Sequence, residues 1–421
     1  MIGRIRLLFP EGSIKGDALR ISALQIFSLA IGLIASIIVA RTLGPARKGI
    51  LDLFNLLTSF IVDFGLLGFG SGLLYYQANR GRPIGEVHGT GLAFSLAVGV
   101  MVAAVGWGGL PAWKALLPGL PAWIMLAAFL LSPVRFYSLV WSSVMTGLNA
   151  VVGTHRVNAV FAMANTAVVL ALWATDRLTV DALIVAMILF ALAGGGVTFG
   201  ILYLREPRLS FSAPLLRDGL SYGVVVYVGV IANALHFKVD QIMINWFLGT
   251  EAVGIYAVGV RWAEMLFLLD SALGAAALYR ISSSPAGESI ALSWKLFRVQ
   301  LLISGVSGVV LALLAGPLVR MLYGDAFRGA VLPLVLLIPG IVAWSASKVV
   351  SNMLNYNRAM KTFVTGAAVA GAAMNVGLNY LFLAVMKYGI AGVAVASSIS
   401  YSFVVVLILF RARGLGADAP H

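Results

Sequence analysis

The 421-residue chain contains no cysteine. That excludes a disulfide framework, a thiolate nucleophile and a cysteine metal site. Its four histidines, His88, His155, His236 and His421, show no metal-ligand spacing. Charge is also scarce. Only 11% of the residues are Asp, Glu, Lys or Arg, where a soluble domain carries about a quarter. Apolar residues fill the chain instead: 61% are hydrophobic, and the mean hydropathy is +0.98. A single soluble core cannot absorb that excess, because the surface that must stay wet grows with the chain. The composition excludes a cytosolic enzyme, a secreted domain and a disordered chain, and it predicts a polytopic membrane protein. A spanning helix takes ~20 apolar residues, so the length holds about twelve spans with their loops.

Twelve apolar stretches mark the expected spans: 21–40, 50–76, 88–108, 121–148, 157–175, 180–204, 219–247, 253–279, 297–319, 330–355, 362–385 and 389–410. The first follows a basic leader (Arg4, Arg6, Lys15, Arg20). No small-residue cleavage site comes after it, so an uncleaved first helix is expected. The net charge of +13 is expected to be mostly loop charge, with no nucleic-acid partner. With the N-terminus inside, the inner segments carry 17 Lys and Arg and the outer segments 8. The positive-inside rule then puts both termini in the cytoplasm. Arg41, Arg47 and Lys48 run against the rule in the expected first outer loop, which either breaks it or serves a ligand.

A repeat divides the chain. Leu43-Gly44 and Gly49-Ile50 recur as Leu248-Gly249 and Gly254-Ile255, and Leu148-Asn149 recurs as Leu354-Asn355 at almost the same offset. Six spans per half brings both halves into the membrane in the same direction. The expected fold is all-α, with two pseudo-symmetric six-helix bundles around a central cavity, one over 1–205 and the other over 206–421.

Ionisable groups in hydrocarbon are costly and face a bundle interior or a wet cavity. Helix positions three, four and seven apart share a face. Gln25, Ser28 and Ser36 make such a stripe, as do Asp52, Asn55, Ser59 and Asp63, and Arg135, Ser142, Thr146 and Asn149. In the second half the stripes are Tyr222, Asn233, His236 and Asp240, then Arg261 and Glu264, then Ser345, Lys348, Asn352 and Asn355. The alternative for the Ser, Asn and Gln members is helix-to-helix glue. Arg261 and Glu264 either neutralise one another or act on a ligand. His236 and Asp240 form either a structural pair or a proton-sensitive one. Lys238 lies near a helix end and is open to snorkelling, and Asp270 lies opposite Arg261.

Cations deep in a bilayer point to an anionic head group, which arginine grips through its fork and lysine as a point charge. Arg135, Arg261, Lys348, Asn352, Arg41 and Lys48 are the candidate substrate residues. Asp63, Asp240, Glu264 and His236 are the candidates for coupling to H⁺ or Na⁺. There is no catalytic constellation and no nucleotide-binding domain, so neither an enzyme nor a cofactor is expected. Gly68-Phe69-Gly70-Ser71-Gly72 lacks the lysine of a phosphate-binding loop. It is expected to serve flexibility or close packing.

Arg41-Thr42-Leu43-Gly44-Pro45, Gly49 and Asp63-Phe64-Gly65-Leu66 resemble the opening of Wzx-type polysaccharide flippases of the multidrug/oligosaccharidyl-lipid/polysaccharide exporter superfamily. Asp218-Gly219-Leu220, Asp240, Val253-Gly254-Ile255-Tyr256, Leu322-Tyr323-Gly324, Asn375, Tyr388-Gly389-Ile390 and Ala391-Gly392-Val393-Ala394 continue the resemblance in order. It implies two six-helix bundles that move by alternating access. The implied substrate is an undecaprenyl-pyrophosphate-linked oligosaccharide flipped to the outer leaflet of the cell membrane, driven by H⁺ or Na⁺. Polymerase and glycosyltransferase partners are implied as well. The chain departs from the family at Lys48, where an aromatic is common, and its first stretch carries no internal charge. A drug/cation antiporter of the same superfamily is a competing expectation, disfavoured by the cations. A membrane enzyme acting on lipid-linked glycans is another, disfavoured by the short outer connections.

Overall fold

The computed structural model describes residues 14–267 and 280–417. Arg4, Arg6, Asp270 and His421 lie outside the described residues. Every regular element among the described residues is helical. The helices are α1 (Ile14–Gly65), α2 (Phe69–Arg80), α3 (Ile84–Gly108), α4 (Leu110–Leu116), α5 (Ala122–Leu130), α6 (Ser132–Gly147) and α7 (Val151–Ala174). They continue as α8 (Val180–Arg205), α9 (Ala213–Leu248), α10 (Thr250–Glu264), α11 (Ala286–Tyr323), α12 (Val331–Asn352), α13 (Lys361–Tyr380) and α14 (Gly389–Ala417). Apolar chain in hydrocarbon has no water to satisfy its peptide groups, and a helix satisfies them internally. Proline directly precedes α3, α5 and α11, where its lost N–H is not needed. Thr179 starts α8 by accepting a hydrogen bond from the Ala182 N–H at 3.1 Å.

Among the described residues nine stretches are long and apolar enough to cross a membrane, or ten if the bent pair Ala213–Val224 and Val226–Leu248 is one span. The expected twelve is not reached there. One such stretch, Arg20–Gly65, covers the first expected span and the larger part of the second, 50–76. Unbroken, its 46 residues would measure about 69 Å, over twice the hydrocarbon thickness. It is broken at Gly44, which leaves helical geometry at φ 73°, ψ 176°, and Pro45 begins the second arm. The eighth expected span, 253–279, runs into residues outside those described. The outward faces are apolar: Leu302, Leu313 and Met321 of α11 and Phe410 of α14 are all exposed. Such a surface belongs in lipid. The chain is a multi-pass membrane protein.

The expected outer loop over Arg41, Arg47 and Lys48 is corrected by the structure. Helix continues on both sides of Gly44, and Lys48 sits in the first turns of the second arm. A single glycine with positive φ suffices for the break, because only glycine takes that geometry without strain. Gly249 repeats it at φ 83°, ψ 179°, and so does Gly324 at φ 87°, ψ 175°. The Gly44/Gly249 repeat is thus a repeat of backbone shape. Leu148-Asn149 and Leu354-Asn355 are not: Asn149 is left-handed, while Asn355 lies in a π-helical turn.

The described chain divides into two compact units. One comprises the described residues up to 44 with 53–230, and the other 45–52 with the described residues from 231 onward. Phe69, Leu73, Val140, Trp141 and Val144 form part of the core of the first. Val349, Val350, Met353, Leu354, Val404 and Ile408 do so in the second. In the first unit the glycine-rich segment packs closely. A Cβ on Gly72 would sit 2.1 Å from the Gly219 carbonyl oxygen, and one on Gly68 would sit 2.2 Å from that of Gly223. In the second unit Gly49 and Gly254 do the same reciprocally. A Cβ on Gly49 would lie 1.8 Å from the Thr250 oxygen, and one on Gly254 would lie 2.1 Å from the Pro45 oxygen.

Candidate functional site

In the first unit, α6, α7 and α8 line a half-open cavity of about 470 Å³. Arg135 lines it from the middle of the Ala122–Gly147 span, and no acidic side chain shares the wall. Three residues of the wall carry buried polar atoms with no hydrogen-bond partner: Arg135 Nε, Trp141 Nε1 and Thr154 Oγ1. Leaving such an atom unmade costs ~1–3 kcal/mol. Arg135 came from the polar-stripe test, but Trp141 and Thr154 did not. Tryptophan counts as apolar in such a test although its N–H needs an acceptor when buried. Asp63 lies elsewhere in this unit, where Ser59 Oγ contacts its carboxylate at 3.5 Å. Arg41 is exposed on α1.

In the second unit Lys48 is buried and ion-pairs with Asp52 one turn on, at 2.6 Å. Arg261 interacts electrostatically with Asp52, and with Glu264 as well. Lys238 also acts on Glu264. The second arm of α1 and the end of α10 therefore hold a mixed-charge group in which Lys48 is already neutralised.

His236 and Asp240 are both buried on α9, yet no bond joins them. Asp240 accepts a hydrogen bond from the Tyr256 hydroxyl of α10 at 2.7 Å and another from the Gln241 N–H at 2.7 Å. His236 Nε2 instead meets Ser400 Oγ of α14 at 3.0 Å. Asn375 Nδ2 donates toward both Ser397 Oγ and Ser400 Oγ, and Asn379 Nδ2 donates to Asn375 Oδ1 at 2.9 Å. All of these side chains are fully buried. His236 Nδ1 and Asn379 Oδ1 end the network without a partner. Tyr256, Asn379, Ser397 and Ser400 were not among the sequence candidates. The signal was present: Asn375 and Asn379 are four apart, and Ser397 and Ser400 three apart, inside apolar stretches. Lys348 is exposed on α12, and Asn352 is half-buried one turn further on.

The described residues thus combine long apolar helices, buried polar networks and one guanidinium, Arg135, in the middle of a membrane-length span. Solved structures agree on the fold. An inward-facing multidrug-resistance transporter of the MATE family and MOP superfamily matches with a TM-score of 0.74 and 16% identity, over 96% of this chain and 100% of that one. Lipid II flippase MurJ in an inward closed conformation matches with a TM-score of 0.75 and 15% identity, over 93% and 87%. A MOP-superfamily transporter from Pyrococcus furiosus matches with a TM-score of 0.66 and 15% identity, over 98% of each chain. At these identities the likeness is one of fold. The model of a family described as polysaccharide biosynthesis protein matches residues 38–332. The chain belongs to that family, and its fold is similar to those of the solved transporters and of the lipid II flippase. An uncharacterized membrane protein of Methanocaldococcus jannaschii is 25% identical over 202 residues, 47% of this chain. The match spans about two fifths (39%) of that relative's length.

Proposed function

We propose that the protein moves a lipid-linked oligosaccharide, carried on undecaprenyl pyrophosphate, from the cytoplasmic to the outer leaflet of the cell membrane by ion-coupled alternating access. The observation that carries the reading is Arg135: a guanidinium at mid-span, with no acidic side chain on its cavity wall, in a chain of the polysaccharide biosynthesis family. An uncompensated cation at that depth favours an anionic substrate over a cationic drug. In this reading residues 1–205 and 206–421 form the two bundles around a central cavity, with both termini cytoplasmic. Arg135, Arg261, Lys348, Asn352 and Arg41 contact the head group and glycan. Lys48 contributes less, since Asp52 already pairs with it. Asp63, Glu264, and Asp240 with the nearby His236 network are the coupling groups for H⁺ or Na⁺. Glycosyltransferases and a polymerase act before and after the flip.

Complementation of a flippase-null strain tests this. Wild type is expected to restore surface glycan, and deletion of the native gene to leave precursor facing the cytoplasm. Arg261→Ala and Lys348→Ala are each expected to lower surface glycan at least tenfold at equal protein level. Normal glycan export in the deletion strain overturns the function. Restoration by wild type and by both variants alike keeps the function and overturns the site.

A further inference from the structure

The cavity between α6, α7 and α8 has a chemistry of its own. We propose that it is a subsite for an acidic sugar, a pyranose ring carrying one carboxylate; the proposal rests on the glycan-transport reading for why such a sugar reaches it. Three observations converge. The cavity volume of about 470 Å³ falls within the range of small-ligand pockets, ~300–1,000 Å³. Three residues of its wall, Arg135, Trp141 and Thr154, carry hydrogen-bond donors that no protein group takes up, which favours a ligand rich in acceptors over one rich in donors. The other two helices add Asn158 and Asn165 from α7 and the edge-to-face pair Phe161 and Phe190, ring centroids 6.3 Å apart.

The balance of these groups decides between ligands. A pyrophosphate carries several charges and asks for several cations. This wall has one guanidinium, whose fork matches one carboxylate. Carboxamides give and accept hydrogen bonds at once, which suits ring hydroxyls. The aromatic faces suit the apolar face of a pyranose. A cationic drug would need a carboxylate, and none lines the pocket.

The test uses the full-length chain in detergent micelles, with methyl glucuronide, methyl glucoside and inorganic pyrophosphate as probes. Binding is read by saturation-transfer NMR and thermal shift. Wild type is expected to bind the glucuronide at least tenfold more tightly than the glucoside, with pyrophosphate a weaker competitor. Arg135→Gln is expected to abolish that tenfold preference and Arg135→Lys to keep part of it. Should Arg135→Gln fail to fold, Asn158→Leu, which fills the pocket from α7, is expected to abolish binding of both sugars. Equal binding of the two sugars overturns the proposal. So does pyrophosphate displacing the glucuronide at lower concentration, or a glucuronide preference that survives both Arg135→Gln and Asn158→Leu. The assay is independent of transport. A strain restored by a protein that ignores the glucuronide sinks this subsite alone, whereas a protein that binds it but restores no strain sinks the transport reading.

Discussion

Lys48 shows how far a residue type falls short of a role. As a cation beside an outer turn it reads as part of a ligand site. Placed on the second arm of α1, it is buried against Asp52. Removing one partner of a buried ion pair typically costs ~3–5 kcal/mol, because the other charge is left behind. Lys48→Met is therefore expected to lower thermal stability sharply, and Lys48→Met with Asp52→Leu to recover most of it. Melting of the purified variants by tryptophan fluorescence checks this. If the double variant is stable and still moves glycan, Lys48 is structural; if it is stable and inactive, the pair belongs to transport. The same limit applies to His236 and Asp240. Their spacing of one helical turn was legible, but their partners are on other helices, at Ser400 and Tyr256. Sequence shows which face of a helix is polar and leaves open which neighbour meets it.

Among the elements, the apolar stretches were legible almost throughout, because hydrocarbon leaves the backbone one local solution. Their breaks were less so. Gly44, Gly249 and Gly324 share one backbone shape, but only the first two share enough neighbours to be seen as a repeat. The glycine-rich segment at 68–72 was expected to serve flexibility or close packing, and close packing is what it does. A β-carbon there has nowhere to go, since its neighbour is backbone. Gly72→Ala and Gly223→Ala are each expected to cost well over the ~1–3 kcal/mol of ordinary overpacking. Gly32→Ala and Gly305→Ala, which have open space around the new carbon, are expected to be neutral or slightly stabilising. Thermal melting of the four variants, side by side, tests the contrast. Equal melting points would mean that the two helices part without cost.

At the scale of the molecule, composition alone indicated the membrane class, and the order of short motifs pointed toward the family that the match over residues 38–332 shows. The number of spans was harder to obtain. Neither length nor hydropathy reveals that one helix runs through the first expected span and most of the second with a single glycine at the break. The absence of cysteine, which first excluded chemistry, makes orientation measurable. One cysteine can be placed at Asp176, before α8, and another, separately, at Pro207, after it. The positive-inside count puts Pro207 in the cytoplasm and Asp176 outside. A membrane-impermeant maleimide applied to whole cells is expected to label Asp176→Cys and spare Pro207→Cys. The reverse pattern would invert the whole topology and with it the direction assigned to transport.

The reciprocal contact of Gly49 with Thr250, and of Gly254 with Pro45, has a further consequence. Backbone there packs against backbone so closely that not even a methyl group fits between the two helices at either glycine. At these two glycines the contact is made by backbone, so no side-chain rotation there can loosen it. It opens only when the second arm of α1 and α10 draw apart as whole bodies.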